Sequence, residues 1–349
     1  QKVSIRPLNQ VLGNGFSWSA DSRSLWYAAR LAQEGNPPQA SRVPAGPVVE
    51  ENLGKKAPSR TYQDLLKNPS DEALFDYYAT SEILRVHVGG STEIVSGKGV
   101  WSSFDASPNN DYLLTEEMVR PYSYLVPYSR FTRVVRIFDQ QGALVRELAH
   151  KELGEYIPST FNAVEKGPRN HAWRPDAPAT VYWVEALDGG DPKNEVKHRD
   201  RLVQLPAPFE GDGQELLRTE LRYGGAMWGN DLLWVRTSWT RTRKEQWYEM
   251  KPSATGSARK IKERSYEDRY GDPGRPLMQP NAYGRMVLWE HKGQLFFVGN
   301  GASPEGDRPF LDRYDLKTGK STRLWRSEAP YYESVVALLD PDKVSFITL

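Results

Sequence analysis

Alternating apolar and polar positions, separated by short polar turns, recur along most of the chain. Phe16–Arg30 combines an aromatic run, a polar turn at Ala20-Asp21-Ser22 and a second apolar run. Alternation with a period of two is typical of half-buried strands, so this stretch predicts an antiparallel hairpin. Asn, Asp and Gly at such turns tolerate the positive φ that tight hairpins require.

The hairpin pattern is repeated further along the chain. Later copies are Phe104–Met118, Trp173–Ala186, Met227–Trp239, Asn281–Gly301 and the beginning of another at Leu338–Leu349. Second hairpins follow the copies, around Gly89-Gly90, Gly142 and Gly256 and, most clearly, in Leu311–Trp325. Two hairpins make four strands, and four-stranded units that recur every 45 to 70 residues or so are typical of a β-propeller with long loops.

The predicted fold class is therefore all-β. We expect residues 1–349 to form a propeller of about five four-stranded blades plus partial ones, incomplete at both ends. Aromatic side chains should fill the space between neighbouring blades, since no blade buries both of its faces alone. A string of hairpins could also form a sandwich or two barrels, which are the alternatives to this interpretation.

Residues 33–80 interrupt the rhythm of hairpins. They begin with a run rich in Pro and Gly, which predicts an exposed loop, and continue into Arg60–Thr80, which predicts one or two short helices. Ser70 is the expected N-cap, and Asp71 and Glu72 suit the positive end of a helix dipole. We interpret the segment as an insertion between strands of a blade, a position where long insertions are commonly functional or mobile.

The amino-acid composition argues against some classes of binding partner. The 46 basic and 45 acidic side chains leave a formal net charge of +1, which argues against nucleic acid as the main partner. No apolar run is long enough for a membrane span. Cysteine is absent, which excludes disulfides and thiol chemistry and fits any compartment. Open strand edges would favour self-association, so a homo-oligomer is a further possibility.

A search for chemistry finds no catalytic machinery. There is no G-x-S-x-G, H-E-x-x-H or P-loop motif, and the five histidines lack the spacing of metal ligands. We therefore expect neither a metal nor a cofactor. Adjacent carboxylates at Glu50-Glu51 and Glu116-Glu117 could act as acid and base, but neighbours in a strand point to opposite faces.

Three loops are unusually rich in aromatic and charged residues. They are Arg120–Phe131, Leu187–Asp200 and Arg264–Gly274. Such loops could simply cover blade edges with tyrosines and expose their charges to water. Loops clustered at one end of a rigid scaffold are, however, where binding sites usually lie.

Several motifs carry a family resemblance. KAPSRTYQDLLKNPSDEALFDYYAT, RPYSYLVPYSRF, YWVEALDGGDP, RSYEDRYGDPG and GASPEGDRPFLDR resemble the propeller portion of prolyl-oligopeptidase-family serine peptidases, specifically the glutamyl endopeptidase branch of bacteria and plant chloroplasts. The resemblance implies a propeller followed by an α/β-hydrolase domain with a Ser, Asp and His triad. It also implies peptide substrates that are cleaved after acidic residues, above all Glu.

The chain departs from that pattern at its end, DKVSFITL, where a hydrolase domain has not yet begun. No triad residue can be carried over, so we expect no catalytic residue here. The expected partners are peptides and the hydrolase domain of the same protein, with neither nucleic acid nor membrane. The resemblance leaves the compartment open between bacterial periplasm or cytoplasm and, for a plant protein, the chloroplast stroma.

Recognition of an acidic side chain calls for a rigidly held arginine, because guanidinium binds carboxylate through two parallel hydrogen bonds. The loop Arg120–Phe131 supplies two arginines and three tyrosines, with Pro121 and Pro127 limiting backbone freedom. The predicted substrate-binding residues are Arg120, Tyr122, Tyr124, Tyr128 and Arg130, with Arg269 as the second choice. The alternative is that Arg120 and Arg130 only form salt bridges between blades, and that Glu267 and Asp268 neutralise Arg269.

Three functions remain open from the sequence. The first is the non-catalytic gating and recognition propeller of an endopeptidase that cleaves after Glu. The second is the propeller of a related dipeptidyl or acylaminoacyl exopeptidase, in which Glu50-Glu51 or Asp71-Glu72 would hold the peptide amino terminus. The third is a stand-alone propeller that acts as a protein-interaction platform.

Overall fold

The computed structural model describes residues 6–13, 15–19, 21–31, 35–39, 62–254 and 256–349. Regular structure in these ranges is almost entirely β-strand, with α1 (Pro69–Ala79) and three single-turn 3-10 helices at Tyr128–Arg130, Gly154–Tyr156 and Thr240–Thr242. In the described ranges the strands form antiparallel sheets, and four of these are four-stranded meanders in which each strand pairs with its neighbour in sequence. The predicted all-β fold class with four-stranded propeller units is confirmed.

The chain divides into two compact units. The first comprises residues 1–173, 178–196 and 203–214, and the second comprises residues 174–177, 197–202 and 215–349. The first sheet has the order β1-β2-β3-β4, with strands β1 (Phe16–Trp18), β2 (Ser24–Ala29), β3 (Glu82–His87) and β4 (Thr92–Ile94). The second has the order β5-β6-β7-β8, with strands β5 (Val100–Ala106), β6 (Tyr112–Met118), β7 (Arg133–Asp139) and β8 (Leu144–Lys151).

The next two sheets repeat the same meander. The third consists of β9 (Pro168–Trp173), β10 (Thr180–Ala186), β11 (Asp200–Pro206) and β12 (Gln214–Thr219). The fourth consists of β13 (Arg222–Gly229), β14 (Leu232–Trp239), β15 (Lys244–Met250) and β16 (Arg259–Ser265). A register shift between Trp247 and Tyr248 marks a bulge where β15 pairs with β16.

The fifth sheet is less regular. Its order is β17-β21-β24-β25, with β20 as an additional partner of β21. The strands of this part of the chain are β17 (Arg275–Pro276), β18 (Met278–Pro280), β19 (Met286–Leu288), β20 (Glu290–His291), β21 (Gln294–Gly299), β22 (Ala302–Ser303), β23 (Gly306–Asp307), β24 (Phe310–Asp315) and β25 (Lys320–Arg326). The hairpin predicted within Asn281–Gly301 forms between β20 and β21, but its first strand is short, because Met286–Leu288 pairs with the preceding strand Met278–Pro280. A final hairpin joins β26 (Val335–Asp340) to β27 (Ser345–Thr348).

Aromatic side chains fill the space between neighbouring sheets, as the sequence predicted. In the first unit, Trp173 and Trp183 are buried in one cluster with Leu114, Val135 and Ile137 of the second sheet. The Trp173 indole nitrogen donates to the carbonyl oxygen of Asp105 at 2.9 Å, so its polar atom is satisfied as well. Burying a large apolar side chain stabilises the folded state by about 1.5–3 kcal/mol. These contacts therefore contribute strongly to the packing of neighbouring sheets.

Helix α1 lies between β2 and β3 in sequence and belongs to the predicted insertion at residues 33–80. Its N-cap is Asn68, whose side-chain oxygen accepts from the Asp71 amide at 3.0 Å. The prediction of Ser70 as N-cap is wrong by two residues, because Pro69 has the fixed φ that suits the first helical position and leaves the cap to Asn68. Residues 40–61 of the insertion, including Glu50-Glu51, lie outside the described residues.

The described ranges contain neither a membrane-spanning helix nor a cluster of metal-ligand side chains. No helix there is long and apolar enough to cross a membrane. Nor do three His, Asp or Glu side chains come together in these ranges as the ligands of a metal ion.

Candidate functional site

The loop between β6 and β7, residues Val119–Thr132, is held against α1 by aromatic packing. Tyr122 stacks on Phe131 with ring centroids 5.0 Å apart, and Phe75 of α1 meets the edges of both rings at 5.1 and 5.9 Å. Phe131 is fully buried, whereas Phe75 and Tyr122 are half-buried. The three rings fix the position of the loop relative to the helix before any charge is considered.

Arg120 is engaged by α1. Its guanidinium forms salt bridges with Glu72 and with Asp76, the latter at 2.7 Å, and the Tyr122 hydroxyl donates to Asp76. Hydrogen bonds to Asp76 and Glu72 raise the pKa of Arg120, and burial together with the Asp76 contact raises the pKa of Tyr122. With both carboxylates ionised, one positive and two negative charges leave the group with a net charge of −1. Sequence analysis missed these partners, which lie 48 and 44 residues from Arg120.

The other two predicted tyrosines are accessible. Tyr124 is 40% exposed and Tyr128 is 51% exposed, so both rings can meet a ligand without rearrangement. A hydrogen bond to Glu72 raises the pKa of Tyr124, so its hydroxyl is already used as a donor to that carboxylate. Tyr128 begins the 3-10 turn that ends at Arg130.

Arg130 is held differently from Arg120. Its Nη1 donates to the carbonyl oxygen of Ile157 at 3.1 Å, and its guanidinium carbon lies 5.9 Å from the Tyr62 ring centroid. Gly154 packs close to its Cβ. No carboxylate of the described residues lies within salt-bridge distance of Arg130, so its positive charge is anchored by neutral groups.

Arg269 belongs to the second unit and is 71% exposed in its side chain. Its Nη2 lies 3.2 Å from a carboxylate oxygen of Asp307, which the sequence did not indicate. The two expected partners are occupied elsewhere: Glu267 pairs with Arg243, and Asp268 accepts from the Gly271 amide.

The candidate carboxylate pairs do not act as pairs in this structure. Asp71 accepts from the Lys67 amide at 2.8 Å, whereas Glu72 contacts Arg120 and the Tyr124 hydroxyl. Glu116 and Glu117 contact different cations, as expected for neighbours in a strand. Glu116 binds Arg133 and Lys151, whereas Glu117 binds Arg136.

A closed ring of four charges joins β6, β7, β8 and the segment that leads into β9. Arg133 contacts Glu116 at 2.8 Å and Glu165 at 3.1 Å, and Lys151 contacts the same two carboxylates at 2.7 and 3.3 Å. Side-chain exposure is 5% for Lys151 and 17% for the other three. Burial opposes ionisation of Glu116, but Lys151 and Arg133 outweigh it and hold the pKa of Glu116 below its ordinary value. We define Glu116, Arg133, Lys151 and Glu165 as the ion ring.

His171 lies beside the ion ring, half-buried as a residue but with both ring nitrogens shielded from solvent. Its imidazole stacks on Trp183 with centroids 6.0 Å apart, and neither ring nitrogen has a hydrogen-bond partner among the described residues. Burial, reinforced by the charge of Lys151, lowers the pKa of His171 to about 3. The imidazole is therefore neutral in the folded protein at physiological pH.

We expect the protein to lose stability through His171 as pH falls from about 6.5 towards 3. The unfolded chain takes up a proton there that the folded state excludes, so the free energy of unfolding falls by up to about 1.4 kcal/mol per pH unit. Denaturant unfolding of wild type and His171→Phe between pH 7 and 5 isolates this residue, because the carboxylates change little in that range. A steeper pH dependence for wild type is expected, and equal slopes would contradict a buried neutral histidine.

One arrangement of catalytic residue types occurs in the first sheet. Ser24 Oγ lies 3.0 Å from His87 Nδ1, and His87 Nε2 lies 3.4 Å from Glu93. Ser24 is only 2% exposed, however, and sits within a regular strand pair opposite His87. A substrate carbonyl cannot reach its hydroxyl, so the arrangement is structural and does not form a nucleophilic site.

Comparison with known proteins identifies sequence relatives along nearly the whole chain. A probable chloroplastic glutamyl endopeptidase of Oryza sativa subsp. japonica is 40% identical over 343 residues, covering 95% of this chain and 36% of the relative. Its counterpart in Arabidopsis thaliana is 38% identical over 348 residues, covering 96% of this chain and 36% of the relative. The chain thus spans about a third of the length of these relatives. No family model matches it.

Solved structures give more distant likenesses. Oligogalacturonate lyase in complex with manganese is 13% identical with a TM-score of 0.43, covering 91% of this chain and 65% of that one. The β-propeller domain of the Trilobed protease from Pyrococcus furiosus is 9% identical with a TM-score of 0.39, covering 92% of this chain and 72% of that one. Because TM-scores this low do not establish a shared fold, the assignment depends on the sequence relatives. The chain is a homologue of one region of the probable glutamyl endopeptidases, which confirms the resemblance of its motifs to that group.

Proposed function

We propose that the chain is the non-catalytic gating and substrate-recognition region of a serine endopeptidase that cleaves peptides after Glu. The observation that carries the proposal is the state of Arg130, a cation fixed by the Ile157 carbonyl and the Tyr62 ring without a carboxylate partner among the described residues. A guanidinium held in this way retains donors for an incoming carboxylate. The names of the two sequence relatives support the acidic preference.

Arg120 has a different role in this proposal. Glu72 and Asp76 already compensate its charge, and an acidic side chain approaching it would meet a net charge of −1. Its salt bridges join the β6–β7 loop to α1 and therefore help to hold Arg130 and the two exposed tyrosines in place. Tyr124 and Tyr128 then supply the apolar walls of the recognition site, and the Tyr128 hydroxyl can donate to the substrate.

Peptide entry would be limited by the same surface. A loop held by packed aromatic rings and a helix cannot open without breaking those contacts, so it favours flexible peptides over folded proteins. In this proposal a different part of the intact protein cleaves the bond, which is consistent with the inaccessibility of Ser24.

The proposal predicts that this chain by itself hydrolyses no peptide or ester. Purified chain should give no turnover of chromogenic peptides that contain Glu, because recognition alone cannot supply an activated nucleophile. The test measures release of the chromophore across fractions of a final size-exclusion column, with Ser24→Ala as the matched variant. Turnover that follows the protein peak and disappears in Ser24→Ala would contradict the proposal.

A second candidate is an exopeptidase propeller, favoured by the net negative charge of the Glu72, Asp76 and Arg120 group. Such a group could hold a peptide amino terminus in place of part of the Arg120 contact. The intact protein separates the candidates when it is offered peptides that differ only in amino-terminal acetylation. An endopeptidase cleaves both equally well, whereas an amino-terminal anchor requires the free amine.

A further inference from the structure

The second unit contains a small aromatic cavity that is separate from the β6–β7 loop. Its volume is about 170 Å³, and it is partly open to solvent. Two tryptophans, a phenylalanine and a tyrosine form its wall, namely Trp234, Trp247, Phe297 and Tyr314. A cavity of about 150 Å³ with an apolar lining accommodates benzene, so this one has room for a single aromatic ring.

The indole N–H groups of both tryptophans already have hydrogen-bond acceptors. The rings therefore present only apolar surface to the cavity. Trp234 Nε1 donates to Glu249 at 3.1 Å, and Trp247 Nε1 donates to Glu245 at 2.8 Å. Phe297 lies within 5.7 Å of the Trp234 centroid and within 6.3 Å of the Trp247 centroid. The rings are locked against one another, so the wall is pre-formed and does not need to be ordered by a ligand.

Two polar groups line this apolar wall without partners. Lys262 Nζ has no hydrogen bond or ion pair among the described residues, and neither does the Tyr314 hydroxyl. Burial lowers the pKa of Lys262, to which Arg264 contributes, and burial raises the pKa of Tyr314. Both groups are half-buried, and each keeps a donor that an entering ligand can reach.

The backbone of β16 places Lys262 in the cavity wall. Trp247 pairs with Lys262, whereas the next residue, Tyr248, pairs with Lys260, so one residue of β16 is bulged out of register. The bulge gives Ile261 and Lys262 to the cavity, while Lys260 contacts Glu220 and Glu263 instead. Bulges commonly re-aim a side chain towards a site.

We propose that this cavity binds a small aromatic carboxylate, with its ring on the Trp247 and Phe297 faces and its carboxylate on Lys262 and the Tyr314 hydroxyl. A carboxylate supplies acceptors for both unpaired donors at once. An aromatic amine would place a cation beside Lys262, and a neutral ring would leave both donors unused. The proposal goes beyond the recognition of peptides by the first unit and does not depend on it.

The probe is 3-phenylpropionate, titrated into the chain and followed by ligand-observed saturation-transfer NMR. We expect saturable binding with a Kd on the order of 1 mM or tighter, as is usual for a ligand of this size. Lys262→Met keeps the length of the side chain and removes the charge, and should raise the Kd about 10- to 100-fold. Tyr314→Phe should raise it about 2- to 10-fold.

Lys260→Met is the matched control, because it removes a lysine of the same strand that does not line the cavity, and it should leave the Kd unchanged. The neutral 3-phenylpropionamide and the cationic 3-phenylpropylamine should bind at least about tenfold more weakly than the acid. Circular dichroism of each variant reports whether the fold is kept. Equal binding of acid and amide, an equal effect of Lys260→Met and Lys262→Met, or no saturable binding of the acid would each overturn the proposal.

Discussion

Replacing Arg130 by alanine in the intact protein is expected to lower kcat/KM for cleavage after Glu by about 30- to 1000-fold. The loss corresponds to about 2–4 kcal/mol, the range for removing a charged hydrogen bond from a partly dehydrated site. Because Arg130 is anchored by the Ile157 carbonyl and the Tyr62 ring rather than by a carboxylate, its removal leaves no buried negative charge behind. The melting temperature should therefore change little.

Arg120→Ala serves as the matched control for that experiment. It removes an arginine of the same loop but releases Glu72 and Asp76, so it should loosen α1 and lower stability. Any loss of activity in Arg120→Ala should apply to all substrates alike. If instead Arg120→Ala selectively impairs cleavage of Glu substrates and Arg130→Ala does not, Arg120 binds the acidic side chain and Arg130 does not.

Lys151→Met is expected to lower the free energy of unfolding by about 3–5 kcal/mol. Lys151 is 5% exposed, and its removal leaves Glu116 and Glu165 with Arg133 as their remaining cation in the ion ring. An uncompensated carboxylate in a partly buried site costs several kcal/mol, far more than the lost attraction itself. Denaturant unfolding at pH 7 gives the free energy directly.

Arg136→Met provides the matched control for the ion ring. Arg136 bridges Glu117 and Glu147 in the same sheet but is 25% exposed, so its loss should cost about 1 kcal/mol or less. Adding Glu116→Gln to Lys151→Met should recover part of the stability, because it removes the stranded charge. Equal costs for the Lys151 and Arg136 variants would mean that the ring is solvated and contributes little.

Hairpins were predictable from the sequence where turn chemistry and alternation agree. Asn110 and Asp231 adopt positive φ of 63° and 51° within the predicted hairpins Phe104–Met118 and Met227–Trp239. The fifth sheet was less predictable, since local alternation in Met286–Leu288 marks a strand but does not specify its partner. The same limit applies to the N-cap of α1, where Ser70 and Asn68 both suit a cap and only the position of Pro69 decides between them.

The candidate site was predictable in its residue types but not in its pairings. An arginine-rich, tyrosine-rich loop is visible as a pattern, and the structure does place Arg120, Tyr122 and Tyr124 near one helix. Which arginine is neutralised depends on residues more than 40 positions away. The same holds for Arg269 and its partner Asp307, 38 residues further on. Such pairings arise from packing and leave no local signal.

The ratio of kcat/KM for two peptides that differ only in Glu or Gln at the cleaved position tests the central claim most directly. Glu and Gln have nearly the same shape, so the ratio isolates recognition of the negative charge. We expect a large preference for Glu in the intact wild-type protein and a preference reduced at least about tenfold in Arg130→Met, with Gln cleavage unchanged. An unchanged ratio in Arg130→Met would show that the acidic side chain is recognised elsewhere.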